Sequence, residues 1–148
     1  MHHSLSTDRV PRQLWLSPFL VLTLTAVVLA KCPTGSVSLT GTVSDLPSSD
    51  SGVELIATVK TPKGDFSQQA SVSKGQFAVA VPFSTLSSSF MGGDRCHNLP
   101  KMVEVRVTGL ERVYAEKKLE IKENFEAGAS YVYRLKHPLY LDITSHRR

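Results

Sequence analysis

The chain has 148 residues, 41% hydrophobic and 20% charged, with 17 Lys and Arg against 13 Asp and Glu and two cysteines. That length supports one modest core. The apolar content is too high for a disordered chain, and two cysteines are too few for a disulfide-framework miniprotein. The positive excess, about three charges once residues 1–30 are set aside, lacks the basic stripe and readout elements of a nucleic-acid binder, so no nucleic-acid partner is expected.

Residues 1–30 read as an export signal. Arg9 and Arg12 precede the charge-free run Phe19 to Ala30 (FLVLTLTAVVLA), and the compact side chains of Val28 and Ala30 suit cleavage after Ala30. The competing reading extends the apolar segment back to Leu14 and Trp15 and keeps it as an anchor, near the roughly 17 to 25 residues that cross a bilayer. Pro18 and the shortness of the run favour cleavage, so membrane contact is expected only in transit. A lipid anchor on Cys32 is disfavoured by Lys31, where the lipoprotein box needs a small side chain. The mature domain is then residues 31–148, secreted or in the cell envelope.

An exported chain meets oxidising conditions, and Cys32 and Cys96 permit a single pairing. Closing that loop stabilises by at most ~4 kcal/mol in the chain-entropy view. The competing use of these atoms is a metal or nucleophilic centre at Asp94, Cys96 and His97 in MGGDRCHN; zinc sites usually recruit a second ligand pair, which is missing from the sequence. No metal and no cofactor are expected.

From Cys32 onward the apolar residues recur at every second position. Val37, Leu39 and Val43 alternate with Ser and Thr, and Val53, Leu55, Ala57 and Val59 repeat the pattern after DLPSSDSG. TPKGD is a tight turn, because proline presets one backbone angle and glycine accepts a positive one. Phe66, Ala70 and Val72 lie on the return strand, SKG turns again, and Phe77, Val79 and Val81 form another inward row. Residues 82–100, PFSTLSSSFMGGDRCHNLP, interrupt the alternation for longer than an ordinary connection, and such loops are usually functional or disordered. Val103, Val105 and Val107 resume it, followed by Val113, Ala115, Leu119 and Ile121. KENFEAGAS reads as a polar connection. Tyr131, Tyr133, Leu135, Leu139, Leu141 and Ile143 then share one parity, as one long strand or two collinear ones, with Pro138 at a sheet edge or bulge. Seven or eight such strands predict an all-β fold, an antiparallel β-sandwich of prealbumin-like or Ig-like type.

Within GTVSDLPSSDSGVELIATVKTPKGDFSQQASVSKGQFAVAVPF and PKMVEVRVTGLERVYAEKKLEI, a set of positions resembles the transthyretin-like modules known as carboxypeptidase regulatory-like domains. Gly41 and Val43, Val53 and Leu55, Gly75, Phe77, Val79, Val81 and Pro82, and Val103, Val105 and Gly109 stand where that pattern asks, over roughly residues 36–121. The resemblance implies a prealbumin-like sandwich used for adhesion, carbohydrate or partner binding, or domain support. The long loop after Pro82 departs from the family's tight connection. Transthyretin-fold hydrolases of the urate pathway carry a histidine-rich start and a Tyr-Arg-Gly-Ser ending, whereas this chain has SVSLTGTVS and SHRR.

The resulting expectation is a non-catalytic module that binds a protein or glycan partner outside the cytoplasm through residues 82–100. Phe83, Leu86, Phe90 and Met91 are its apolar contacts and Asp94, Arg95 and His97 its polar ones. The plainer reading has Phe83, Leu86 and Phe90 plugging one end of the sandwich. The alternative class is a small secreted hydrolase or metal-dependent enzyme centred on Asp94, Cys96 and His97. Ser84, Ser87, Ser88 and Ser89 lie nearby, but no G-x-S-x-G elbow accompanies them. Tyr114 shares a parity with Arg112 and Glu116 and is expected on the solvent side, as is Tyr140. Glu104, Arg106, Glu116 and Lys118 read as cross-strand charge pairs, and an exposed edge near Pro138 as a place for edge-strand dimerisation.

Overall fold

In a computed structural model of the chain, the described residues are 32–46, 52–87, 95–109 and 112–143. The expected export signal, 1–30, therefore lies outside them. Nine strands, one short helix and one 3-10 turn follow in order: β1 (Thr34–Ser44), β2 (Glu54–Thr61), β3 (Gly64–Ser71), β4 (Gln76–Ser84), β5 (Met102–Thr108), β6 (Val113–Glu120), α1 (Ile121–Asn124), β7 (Phe125–Ala127), the turn Ala129–Tyr131, β8 (Val132–Leu135) and β9 (Leu139–Asp142).

The alternation of apolar side chains decides which face of each strand is buried. Val37, Leu39 and Val43 of β1, Leu55, Ala57 and Val59 of β2, Phe77, Val79, Val81 and Phe83 of β4, and Val103, Val105 and Val107 of β5 all enter one core. Valine dominates it because a β-branched side chain fits a pleated surface with little rotamer freedom left to lose. One sheet runs β3-β2-β5-β6, and the other runs β4-β1-β8-β7 with β9 also on β1. The fold is an all-β sandwich, as the periodicity predicts.

The turns follow from their residues. Thr61 and Gly64 pair across Pro62 and Lys63, and the Thr61 hydroxyl donates to the Gly64 carbonyl at 2.7 Å. Lys74 and Gly75, with φ of 52° and 73°, link the Ser73–Gln76 bridge as the left-handed residues of a primed turn, whose twist suits adjoining strands. This turn carries the chain from one sheet to the other.

Four details differ from the sequence expectation. The strands number nine among the described residues. Pairing is antiparallel throughout except at β1, whose second edge takes β8 and β9 in parallel, with Val37 opposite Tyr133 and Val43 opposite Leu141. KENFEAGAS is not a plain connection but builds α1, β7 and the turn. β6 changes parity at its start: Val107 pairs with Ala115 and Thr108 with Val113, leaving Tyr114 as an extra residue. Such a bulge puts two residues opposite one and turns the strand's first side chains over. Val113 is consequently 48% exposed, and Tyr114, expected in solvent, is 7% exposed.

The tail forms two collinear strands, and Pro138 sits in the break between them rather than in a ladder. Lys136 holds this break in place. Its backbone N–H donates to the Asn124 carbonyl at 2.9 Å, and its ammonium donates to the Glu123 carbonyl at 2.8 Å, which satisfies carbonyls that the end of α1 leaves free.

Candidate functional site

The loop from Pro82 to Pro100 begins as the last strand residues of β4 and ends just before β5. Its described parts are two legs, 82–87 and 95–100, fastened to each other and to the sandwich; 88–94 lie outside the described residues. Cys96 is bonded to Cys32, with the Cα atoms 5.3 Å apart, which ties one leg to the chain just before β1. The Ser87 N–H and hydroxyl both donate to the Arg95 carbonyl, at 2.7 and 2.8 Å, and the Asn98 N–H donates to the Thr85 carbonyl at 2.9 Å.

Beneath the legs lie two buried polar side chains, Thr85 and Asn98, and both have partners. The Thr85 hydroxyl donates to the Pro33 carbonyl. Asn98 uses both ends of its amide, donating from Nδ2 to the Ser84 carbonyl at 2.7 Å and accepting at Oδ1 from the Lys63 N–H at 3.1 Å. One side chain thus joins the β2–β3 turn, the end of β4 and the loop. A buried amide pays its desolvation cost only where donors and acceptors match in this way.

The predicted contact residues separate on this frame. Phe83 is 1% exposed and packs in the core, its ring 6.2 Å from that of Tyr133 and over Gly35, so its side chain fills the sandwich end rather than facing outward. Leu86 is 37% exposed, and Arg95 and His97 are exposed as well. Phe90, Met91 and Asp94 fall outside the described residues. Leu99, 40% exposed and absent from the sequence expectation, joins Leu86 as a large apolar side chain on the legs. Its signal was weak, a lone leucine before Pro100 in a polar segment. The sulfur of Cys96 is occupied by the bridge to Cys32, so it serves neither as thiolate nucleophile nor as metal ligand in this state. Among the described residues no group of three or more His, Cys, Asp or Glu side chains gathers.

Two other surfaces merit description. A cleft of about 390 Å³ opens between the edge of β6 and the β8–β9 break, with Leu119, Leu135 and Leu139 lining it beside Lys117, His137 and Tyr140. Across the outer face of β2-β5-β6, Glu104 lies 3.6 Å from both Lys60 and Arg106 and 3.9 Å from Lys118, while Arg106 reaches Glu116 at 3.5 Å. The expected charge pairs are therefore present. The Glu104 carboxyl is held below its ordinary value, first by a hydrogen bond with Glu116 and then by the charges of Arg106, Lys118 and Lys60, against the opposing effect of desolvation. Burial, followed by the neighbouring Tyr131, pushes the Tyr133 phenol above its ordinary value. Tyr131 and Tyr133 pack half-buried against the core, whereas Tyr140 is 60% exposed.

Compared with known proteins, the chain matches no family model, no curated protein and no solved structure. Among the described residues no helix is long and apolar enough to cross a membrane.

Proposed function

We propose that this chain is an exported, non-catalytic binding module that recognises a protein or glycan partner through residues 82–100. One observation carries the reading: both legs of the loop are pinned, by Cys96 to Cys32 and by Asn98 to Lys63 and Ser84, while Leu86 and Leu99 remain exposed on those legs together with Arg95 and His97. A loop anchored at its base loses less conformational entropy on binding, and exposed apolar side chains beside a guanidinium and an imidazole suit a partner with both apolar and acidic or hydroxylated surface. Export is supported by the disulfide, which persists in oxidising compartments, and by the apolar run behind Arg9 and Arg12.

The test uses immobilised protein against a printed glycan array and against proteins of culture medium and cell-envelope extract. Arg95→Ala and the double change Leu86→Ala with Leu99→Ala are expected to keep the wild-type circular dichroism and melting curve and to lose the captured partner. Capture unchanged in both variants removes the loop from the proposal.

A further inference from the structure

Register decides which side chains of β6 face the core. Ala115 stands opposite Val107, Lys117 opposite Val105 and Leu119 opposite Val103, and all three valines are fully buried. Lys117 therefore holds an inward position between two buried neighbours, yet it is exposed. Among the described strands it is the one charged residue so placed. An inward lysine is tolerated only where its ammonium reaches water or an anion.

The cleft of about 390 Å³ provides that opening. Among the described residues β6 pairs only with β5 and β9 only with β1, so an open edge from each sheet meets the other along this flank of the sandwich. Between them Leu119 and Leu139, each 5% exposed, and the half-buried Leu135 form an apolar back wall. Lys117 and Lys136 bring two ammonium groups to the lining against the one carboxylate of Glu123. The Lys136 ammonium is held on the Glu123 carbonyl at 2.8 Å, whereas Lys117 makes no ion pair among the described residues. An inward charge on an edge strand also guards against pairing with another chain. That role accounts for the charge but not for the cleft behind it, whose volume lies in the range of small-molecule sites.

The geometry points to a binding site for a small amphipathic carboxylate between β6 and β9, its alkyl chain on Leu119, Leu135 and Leu139 and its carboxylate paired with the Lys117 ammonium. Each part of the ligand answers a feature of the cleft. Leucine walls gain when hydrocarbon replaces water against them. A net positive lining with one unpaired ammonium selects an anion over a neutral alcohol of the same length. The volume limits the chain to short or medium length. This site is separate from residues 82–100 and does not depend on their role. For a ligand of about ten heavy atoms in an open cleft, the affinity is on the order of millimolar.

Backbone amide NMR of the purified disulfide-bonded chain, titrated at neutral pH with octanoate and separately with octanol, provides the test. Octanoate is expected to shift the amides of β6 and β9 saturably and to leave those of 82–87 and 95–100 in place. Lys117→Met keeps the length and apolar stem of the side chain and removes its charge. It is expected to weaken octanoate about fivefold, while octanol binds as in wild type. No saturable shift in wild type overturns the inference, as does saturation mapped to another surface. Octanoate affinity unchanged in Lys117→Met also overturns it and leaves the lysine as a guard of the edge. An equal loss for octanoate and octanol overturns the pairing of the carboxylate with Lys117. Should Lys117→Met associate or melt below wild type, Lys117→Gln decides: the same loss for octanoate alone supports the inference, and no loss overturns it.

Discussion

At the scale of single residues, polar side chains do what the apolar core cannot. Asn98 is 1% exposed and satisfies backbone groups from two other segments, so its loss strands a donor at Lys63 and an acceptor at Ser84. Asn98→Ala is expected to cost about 1–3 kcal/mol in urea unfolding, while Ser87→Ala, on the other leg, costs less than half as much. Glu104 supplies a pH signature. Its folded-state carboxyl titrates below the ordinary 4.5, so its contribution is fully present above that value and is lost as pH falls through the lower one. Glu104→Gln is therefore expected to flatten the acid limb of a stability-against-pH curve measured from about pH 7 to about pH 3, with little change at the alkaline end. The effect is modest, since solvent screens this face. In sequence, the charge pairs were legible because alternate positions on neighbouring strands carry opposite signs. Asn98 was not, because its partners lie far from it along the chain and a lone loop asparagine carries no pattern.

At the scale of elements, alternation gave the burial of β1, β2, β4 and β5 residue by residue. It failed where the backbone departs from strict alternation. The extra residue at Tyr114 reverses the parity of Val113 and brings the phenol ring against Gly109, where a Cβ would stand 2.5 Å from it; hydrophobic patterning holds no mark of where a bulge falls. α1 escaped notice because four residues between strands are too few to display a helical period. Gly41 reports the strand pairing that sequence could not give. A Cβ there would lie 2.2 Å from the Leu139 carbonyl and 2.6 Å from the Phe77 ring, so only glycine lets β9 lie against β1. Gly41→Ala is expected to destabilise by about 2 kcal/mol or more and to speed amide hydrogen exchange in β9 before the β2–β5 ladder. Uniform acceleration in both would show that β9 is not a separately loosened element.

At the scale of the whole molecule, the sandwich was readable because β1, β2, β4 and β5 repeat the same alternation, and the disulfide because two cysteines leave one pairing. Partners among strands were less so: that the last two strands flank the first in parallel depends on contacts nearly a hundred residues apart. The bridge between Cys32 and Cys96 spans 64 residues. Its reduction, or the pair Cys32→Ser and Cys96→Ser, is expected to lower stability by up to about 4 kcal/mol and to lower the melting temperature, with the strand content kept by far-UV circular dichroism. An unchanged melting point would show that Asn98 and Thr85 hold the loop base without sulfur.

The placement of β1 between β4 and β8–β9 also sets a timetable. On a ribosome β1 emerges early and can meet β4 midway, yet its other flank stays bare until Leu141 has left the exit tunnel. Pairing of such distant segments is slow, so closure of this domain waits for its last two strands. A nascent chain stalled before Leu139 would present a naked strand in mid-sheet, a form that invites chaperone capture or clumping.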